Sequence, residues 1–378
     1  MDHPTPPLST DFLYSTRGGI VENRHLVHAA VVSSSTPSTS PPLFSLGDPT
    51  RLTFLRSAAK PVQALPFVEA NGLSRFGLDA ADLALMCGTH NSEPAQVARA
   101  RAMLVKVGVE ESQLECGAHP AISPRVNKEW VESGFAPTPV CAACSANHVG
   151  VMAGARAVGA GVAGYHLAGH PVQDRIGEAV QELTGLAAAE IGWALDGCNM
   201  VSPATPLQAV ARIFAAFAQA ADDGEKEDED KDKDKDEDKD KSVPLSSPRT
   251  QAMARIYRAI AAHPENIGGS NRFCTELIAA HGGALIGKAG GDGCYAIGVR
   301  ASEDTRRLGA QGAIGIALKI EDGNFGAMEA TAAELLEQLG IGTPEARGRL
   351  EGFRRGEIKN SRGVVTGGLT FAFKLRAA

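Results

Sequence analysis

The sequence predicts an α/β protein of the α+β type, in which strands from both ends of the chain form a sheet packed against a helical region. Strand-like segments lie near the N-terminus and again near the C-terminus, while Ala-rich helical segments occupy the middle. The 42 glycines and the 43% share of hydrophobic residues fit a well-filled α/β core. Because 378 residues exceed one typical domain, we expect a single unit, residues 1–378, made of two intimately packed subdomains.

The predicted strands have β-type patterns of apolar and polar residues. The segment GIVENRHLVHAAVVSSS predicts a first strand or hairpin, and a polar Ser/Thr/Pro loop over residues 33–42 separates it from a second strand, PLFSLGD. Towards the other end, CYAIGVR and GAIGIALKI predict two strands, and EDGN predicts a turn before the next helix. The segment GGLTFAFKL predicts a closing strand.

The predicted helices lie between these strands. Residues 61–108 predict two helical stretches, PVQALPFVEANGL and EPAQVARARAMLVKVGV, and an apolar strand that ends at LMC lies between them. Residues 149–189 and 206–221 are Ala-rich and predict further helices. The segment RTQAMARIYRAIAAHP predicts one more helix, with apolar residues at Met253, Ile256, Tyr257 and Ile260.

One tract carries the whole net charge of −7. Between Asp222 and Lys241 lie 13 acidic residues and 6 lysines, so the rest of the chain is neutral. The tract has no apolar residue, and we predict that residues 222–243 are a disordered acidic insertion, with a partner-binding segment as the alternative. A neutral body argues against nucleic-acid binding, which needs a basic face.

The sequence also predicts a cytoplasmic protein without membrane association. The segment MDHPTPPLSTDFLYST lacks the basic and apolar regions of a secretory signal, and no uncharged apolar run reaches the length of a membrane span. Seven cysteines, an odd number, are expected to be thiols, metal ligands or core residues rather than a disulfide framework.

Five short segments contain residues that could carry chemistry. In FLRSAAKPVQALP, Ser57 and Lys60 share one face of a helix whose start is marked by Pro61, where the helix dipole favours a neutral amine that can deprotonate the serine. S-x-x-K is typical of serine hydrolases of the β-lactamase type, but a capping serine beside a solvated lysine is the simpler interpretation of the motif alone. In LMCGTHNSEPAQ, Thr89 or Ser92 could supply a second hydroxyl, or Ser92 could simply cap a helix.

The other three segments suggest a metal and a second base. In VCAACSANHVG and LDGCNM, Cys141, Cys144, Cys198 and Asp196 could form a zinc shell, or the cysteines could be buried free thiols. In GALIGKAGGDGCYAIG, Lys288 is predicted in a glycine-rich turn that fixes its position, although an ordinary turn lysine fits equally.

Nine blocks together resemble one family. STRGGIVENRH, RSAAKPVQALP, CGTHNSEP, LECGAHP, CSANH, DGC, GGSNRFCTELI, GKAGGDGCYAIG and GIALKIEDG follow in the order seen in the Rhizobium etli-type L-asparaginases, the asparaginase II family. This family is distinct from the bacterial type I/II and plant-type asparaginases. The resemblance covers residues 14–375 apart from the acidic tract and the polar loop.

The resemblance implies an amidohydrolase that splits asparagine into aspartate and ammonia through two Ser-Lys pairs, on a fold like those of serine β-lactamases and glutaminases. Ser57 and Lys60 match the first pair, and Thr89 and Lys288 match the second, with threonine where serine is usual. The residues that fall on substrate-pocket positions are Arg56, His148, Asp196 and Cys274. The resemblance also implies a homodimer, and a small amide such as asparagine as the substrate.

Zinc is the cofactor that the resemblance implies, and no organic cofactor is expected. Cys144 and Cys198 match two zinc-binding cysteines of the family, but Asn147 stands where the family has a metal-binding lysine. An amide oxygen is a poorer ligand than that amine, so Asn147 and Cys141 are both candidates for the third ligand.

The mechanism that follows is acyl transfer. Lys60 removes the proton of Ser57, Ser57 attacks the side-chain amide, and water hydrolyses the acyl-enzyme with Lys60 or Lys288 as the base. Asp196 is expected to hold the α-ammonium group of the substrate, and Arg56 to order the pocket or pair with a carboxylate.

Three alternatives stay open. The first is a relaxed or shifted hydrolase of small amides, and the second is a diverged non-catalytic amino-acid-binding homologue, because Thr89 and Asn147 both depart from the family. The third is a serine hydrolase of the β-lactamase or penicillin-binding type, because three of its motifs are echoed in order. These motifs are Ser57-x-x-Lys60, Ser145-x-Asn147 and Lys288-x-Gly290, with Ala289 in place of the usual hydroxyl residue.

Overall fold

The computed structural model describes residues 10–233 and 246–378, apart from the side chains of residues 227–233. The structure is built from many helices and antiparallel strands, which confirms the predicted α/β class. The strands are β1 Phe12–Arg17, β2 Ile20–Ser33, β3 Phe44–Leu46, β4 Leu52–Phe54, β5 Gly192–Leu195, β6 Val201–Pro206, β7 Leu285–Ala289, β8 Cys294–Val299, β9 Ile314–Ile320, β10 Ile358–Lys359, β11 Val365–Phe371 and β12 Arg376–Ala377.

The helices lie mostly between β4 and β7. They are α1 Lys60–Gln63, α2 Leu65–Glu69, α3 Gly72–Phe76, α4 Ala80–Met86, α5 Pro94–Val107, α6 Pro124–Ser133, α7 Ser145–Ala157, α8 Pro171–Thr184, α9 Leu207–Lys233, α10 Pro248–Ala262, α11 Phe273–Ala280, α12 Glu303–Arg307, α13 Phe325–Leu339, α14 Pro344–Gly348 and α15 Glu351–Arg355. Short 3-10 turns include Arg56–Ala59, directly before α1, and Pro139–Cys141. No helix of the described residues is both long enough and apolar enough to cross a membrane.

Strands from both ends of the chain form the larger sheet, as predicted. Its order is β10-β11-β1-β2-β9-β8-β7, with β3 paired to β2 and β12 paired to β3. A smaller sheet has the order β4-β6-β5. All of these pairs are antiparallel. Strand β2 is long enough to pair with β1 through its first half and with β9 through its second half.

Helix α9 packs directly against this sheet through two glycines. Gly298 of β8 and Gly315 of β9 lie opposite each other in the register. A Cβ atom on Gly298 would lie 2.3 Å from the Phe214 carbonyl oxygen, and one on Gly315 would lie 1.8 Å from the Ala211 carbonyl oxygen. Any larger side chain would force the helix off the sheet, so glycine sets the distance between the two layers.

The acidic tract is partly helical, which corrects the prediction of disorder from residue 222 onwards. Helix α9 continues to Lys233. Arg300 holds two side chains at the start of the tract, because its guanidinium donates to Asp222 at 2.6 Å and to Glu225 at 2.7 Å. Burial of Asp222 beside this guanidinium gives the start of the tract a tertiary anchor. Residues 234–243 lie outside the described residues.

Three further local predictions were wrong. The run that ends at LMC is helix α4 rather than a strand. Residues 158–170 form no helix, because α7 ends at Ala157 and α8 begins at Pro171. Lys288 lies within strand β7 rather than in a turn. The predicted strands CYAIGVR and GAIGIALKI and the helix from the segment RTQAMARIYRAIAAHP are confirmed.

Candidate active site

A cavity of about 380 Å³ lies where the helical region meets the edge of the larger sheet. It brings together residues that are far apart in the sequence. Its lining is Arg56, Ser57, Thr89, His119, Ile122, Ala143, Cys144, Asp196, Gly197, Cys198, Arg272, Ala289, Gly290, Gly291 and Phe325. Six of these were predicted as site residues: Arg56, Ser57, Thr89, Cys144, Asp196 and Cys198.

The Thr89 hydroxyl is in contact with both predicted lysines. The amines of Lys60 and Lys288 each lie 3.0 Å from Thr89 Oγ1. Lys60 also donates to the Gly88 carbonyl, and Lys288 donates to the Ala289 carbonyl at 2.7 Å. Both lysine side chains are buried. The two predicted pairs therefore form one cluster around a single hydroxyl.

The backbone on both sides fixes the position of Thr89. The Thr89 N–H donates to the Ile267 carbonyl at 2.8 Å, and the His90 N–H donates to the Ala143 carbonyl at 2.9 Å. A Cβ atom on Gly88 would lie 2.1 Å from the Asn266 carbonyl oxygen. Only glycine allows the two segments to approach so closely, and this approach brings Thr89 to the lysines.

The buried environment favours a neutral amine on Lys288. Burial lowers the pKa of Lys288 to about 7, and the positive charge of Lys60 acts in the same direction. At neutral pH a substantial fraction of Lys288 is therefore a free base beside the Thr89 hydroxyl. A neutral amine within hydrogen-bond distance of a hydroxyl is the arrangement needed to activate a nucleophile.

Ser57 lines the same cavity but is not the hydroxyl that Lys60 contacts. It lies in the 3-10 turn Arg56–Ala59, and Lys60 follows as the first residue of α1, so the predicted helix start is confirmed. Among the described residues, the Lys60 amine bonds to the Gly88 carbonyl and Thr89 Oγ1, and no hydrogen bond joins it to Ser57. The other candidate hydroxyl, Ser92, donates to the Cys141 carbonyl at 2.8 Å and lies outside the cavity lining.

Asp196 is held in the tight turn between β5 and β6. Its Oδ1 accepts hydrogen bonds from the backbone N–H groups of Cys198 at 2.8 Å and Met200 at 3.2 Å. The Cys198 thiol lies 3.5 Å from the other oxygen, Oδ2. A carboxylate fixed in this way presents a preorganised negative charge to the cavity.

Arg56 forms an ion pair with Asp292, which lies in the turn between β7 and β8. Both residues have left-handed backbone conformations, with φ of 48° for Arg56 and 51° for Asp292. This pairing neutralises the charge of Arg56. The ion pair favours an ordering role for Arg56 over pairing with a substrate carboxylate, the two roles considered for it.

The two predicted metal-binding cysteines, Cys144 and Cys198, contact each other. A hydrogen bond with Cys198 lowers the pKa of the Cys144 thiol, and the charge of Lys60 acts in the same direction. The same hydrogen bond and burial raise the pKa of Cys198. In residues 10–233 and 246–378, no group of three or more His, Cys, Asp or Glu side chains is arranged to hold a metal ion.

The two candidates for a third ligand do not complete a zinc site. Cys141 is buried outside the cavity lining, with its sulfur 3.8 Å from Thr138 Oγ1. The Asn147 amide donates to Gln63 Oε1 at 3.1 Å, while its own Oδ1 is buried and accepts no hydrogen bond from the described residues. Two thiols with one amide oxygen are a poor donor set for zinc, so the residues present do not fit the implied metal.

His148 and Cys274 lie behind the cavity rather than in its lining. His148 Nδ1 lies 2.6 Å from the Tyr165 hydroxyl, and burial lowers the pKa of His148 to about 3. The Cys274 sulfur accepts hydrogen bonds from the Ala289 N–H and the Tyr295 hydroxyl. Cys274 therefore supports the end of strand β7, next to Lys288.

Ser145 and His90 form a second buried hydroxyl–imidazole contact, 3.0 Å long. His90 Nδ1 accepts a hydrogen bond from the Ser92 N–H, so Nε2 carries the proton and donates to the Ser145 hydroxyl. An imidazole in this tautomer cannot remove the serine proton. Ser145 is also fully buried, so the pair is a structural one at the start of α7.

Several lining residues were not singled out from the sequence. His119 and Ile122 belong to one segment of the chain, and Arg272 and Phe325 to two others. His119 and Arg272 lie within the recognised blocks LECGAHP and GGSNRFCTELI, so the blocks located both segments without indicating which side chains enter the cavity.

A hydroxyl held by two lysine amines, in a cavity that also presents a fixed carboxylate, is an arrangement that hydrolases use to form a covalent intermediate. The sequence model of the L-asparaginase II family matches residues 13–371, so the chain belongs to that family. The predicted membership of the asparaginase II family is thereby confirmed, and the protein is an amidohydrolase of the L-asparaginase type. No curated protein sequence matches the chain.

Proposed function

We propose that this protein hydrolyses the side-chain amide of L-asparagine, giving L-aspartate and ammonia. The observation that carries the proposal is the contact of the Thr89 hydroxyl with the amines of Lys60 and Lys288, each at 3.0 Å, in the wall of a cavity. Asp196 in the same cavity supplies a fixed negative charge for an α-ammonium group. Membership of the L-asparaginase II family supports the same reaction.

The contacts favour Thr89 over Ser57 as the nucleophile. Neutral Lys288 accepts the hydroxyl proton as Thr89 Oγ1 attacks the amide carbon, and the positive charge of Lys60 stabilises the developing alkoxide. Lys288 then delivers the proton to the departing nitrogen as the C–N bond breaks and ammonia leaves. In the second half, Lys288 takes a proton from water, the resulting hydroxide attacks the ester, and Thr89 recovers its proton.

Ser57 as nucleophile is the second assignment to test, because Ser57 lines the same cavity. In that case Thr89 would pass the Ser57 proton to one of the amines. A diazoketone analogue of asparagine that alkylates the nucleophile separates the two assignments, with peptide mapping by mass spectrometry as the readout. Label on Thr89 supports the first assignment, and label on Ser57 replaces it with the second.

The reaction itself is tested by coupled ammonia detection on asparagine, glutamine and simple primary amides. We expect turnover of asparagine to exceed that of glutamine and of uncharged amides. If another small amide were hydrolysed faster, that amide would be the substrate, and the reaction would still be amide hydrolysis. Asparagine-dependent thermal stabilisation without ammonia release would identify a non-catalytic amino-acid-binding protein instead.

Two finer features implied by the family resemblance are also proposals. The first is a fold like that of serine β-lactamases and glutaminases, which is supported by the sheet built from both chain ends and by Ser57 and Lys60 at the start of a helical region. The second is a homodimer, which sedimentation velocity measurements would test. Zinc enters no step of the proposed mechanism, because the residues present do not complete a site for it.

A further inference from the structure

Arg272 is a cation in the cavity whose charge is not neutralised by a paired carboxylate. Its guanidinium Nη1 donates to Asn91 Oδ1 at 3.0 Å, and this partner is a neutral amide. No ion pair joins Arg272 to a carboxylate in the described part of the chain. Arg56, the other arginine of the cavity, is instead paired with Asp292.

The surroundings hold Arg272 in a fixed position. It is the residue that immediately precedes helix α11. Asn91, which accepts its hydrogen bond, is buried and donates through Nδ2 to the Ser270 carbonyl at 3.0 Å. The Ser270 N–H in turn donates to Glu93 at 3.0 Å. A guanidinium positioned by such a network loses little further entropy when it binds an anion.

The carboxyl group of Glu329 interacts with Arg272 only weakly. Glu329 on α13 interacts with it electrostatically, but burial raises the pKa of Glu329 to about 7. Glu329 is therefore only partly ionised at neutral pH and does not cancel the charge of the guanidinium. The cavity thus presents one uncompensated positive charge from Arg272 and one fixed negative charge from Asp196.

We propose that Arg272 binds the α-carboxylate of the substrate while Asp196 binds its α-ammonium group, so that the cavity selects free α-amino acids that carry a side-chain amide. A planar guanidinium binds a carboxylate through two parallel hydrogen bonds, which gives direction as well as attraction. The assignment rests on the proposed hydrolysis of an amino-acid amide. It makes Arg272 a specificity-determining residue and leaves Arg56 to order the cavity wall.

Three amides separate the contributions of the two charged groups. L-Asparagine carries both the ammonium and the carboxylate, 3-aminopropanamide lacks the carboxylate, and succinamate lacks the ammonium. For Arg272→Gln we expect kcat/KM to fall on the order of 10- to 100-fold with asparagine and succinamate, the loss typical of one charged hydrogen-bonding partner. With 3-aminopropanamide we expect kcat/KM to change less than threefold. Arg272→Lys should recover part of the loss, because it keeps the charge but not the paired hydrogen bonds.

The matched control is Arg125→Gln on α6, where the side chain is exposed and pairs with Glu129 on its own helix. This control should behave like the wild type with all three amides. An equal loss with all three amides in Arg272→Gln would mean that Arg272 supports the fold of the site rather than reading the carboxylate. No loss with asparagine would place the carboxylate elsewhere. Either result overturns the assignment.

A binding measurement keeps the inference separate from the proposed reaction. Calorimetric titration with L-aspartate and with L-asparagine should show tight binding to the wild type and weak binding to Arg272→Gln. If the wild type released no ammonia from any amide, the proposed reaction would fail. The titrations would still support or overturn Arg272 as the carboxylate-binding residue.

Discussion

The amine of Lys288 lies 3.0 Å from the hydroxyl of Thr89, although the two residues come from a strand of the sheet and from the segment after helix α4. The amine is buried, so the protein holds a base that is partly neutral near pH 7 beside a hydroxyl that opens to the cavity. Catalysis and stability should both depend on this one side chain.

The pH dependence of the rate should follow the protonation of Lys288. A lysine whose pKa is lowered to about 7 accepts a proton from Thr89 only when it is neutral. We therefore expect kcat/KM for asparagine to rise with pH through about 7 and to level off above it. Steady-state rates between pH 5 and about 9 in buffers of constant ionic strength test this. A profile that is flat across neutral pH would exclude Lys288 as the base.

Removal of the buried amine should stabilise the protein while it abolishes turnover. The pKa of Lys288 is 10.5 in an unfolded chain and about 7 in the folded one, so the unfolded chain binds an additional proton between these values. The free energy of unfolding therefore rises with pH between about 7 and 10.5. Below about 7, the full destabilising effect of burying the amine is present. We expect Lys288→Met to raise the free energy of unfolding by about 0.5–2 kcal/mol at pH 6, and by less at pH 9.

Urea unfolding at the two pH values measures this effect. The matched control is Lys374→Met, which removes an exposed lysine and should change stability little at either pH. If Lys288→Met lowered the free energy of unfolding, or raised it equally at both pH values, burial of the amine would not be destabilising.

Substitutions of Thr89 should distinguish its hydroxyl from its methyl group. Thr89→Ser keeps the oxygen between the two amines, so we expect ammonia release within about an order of magnitude of the wild type. Thr89→Val keeps the shape but removes the oxygen, and we expect no detectable release from asparagine. The same coupled assay should show that Ser57→Ala retains measurable turnover. A fully active Thr89→Val protein would remove Thr89 from the mechanism.

Gly88→Ala should destabilise the protein and displace Thr89. The added methyl group would lie 2.1 Å from the Asn266 carbonyl oxygen, far inside van der Waals contact. We expect a loss of about 1–3 kcal/mol in the free energy of unfolding, together with a lower kcat. Gly348→Ala is the matched control, because no atom lies within 4 Å of the added methyl group. Equal thermal midpoints for the two variants would contradict the close approach at Gly88.

Zinc should not be needed for turnover. The sulfurs of Cys144 and Cys198 are adjacent, but no third His, Cys, Asp or Glu completes a shell with them in the described residues. We expect the purified protein to hold well under one zinc per chain by elemental analysis, and a chelator to leave ammonia release unchanged. Stoichiometric zinc, or loss of activity on chelation that zinc restores, would show that a further donor such as Asn147 completes the site.

Much of the sheet could be predicted because its strands carry local signals. The runs that form β8, β9 and the second half of β2 are apolar and bounded by turn residues. Helix α4 was mistaken for a strand because nearly all of its side chains are buried, which removes the alternation that distinguishes the two. The helical start of the acidic tract was missed because composition alone does not reveal the anchor at Arg300.

The site was predictable only in part, for a physical reason. The recognised blocks located Ser57, Lys60, Thr89 and Lys288, but not the fact that Thr89 is the hydroxyl shared by both amines. The free charge of Arg272 depends on what lies around it. Its hydrogen-bond partner Asn91 is 181 positions away in the sequence, so the residues next to Arg272 do not reveal this contact.

The close contact between α9 and the sheet determines how this part of the protein can open. At Gly298 and Gly315 the helix backbone meets the strand backbone, with no side chain between them that could rotate aside. Solvent can reach the amides around Ala211 and Ala215 only if the helix separates from the sheet as a body. In hydrogen–deuterium exchange, these amides should therefore be among the slowest in the chain, and their rates should report the free energy of global unfolding.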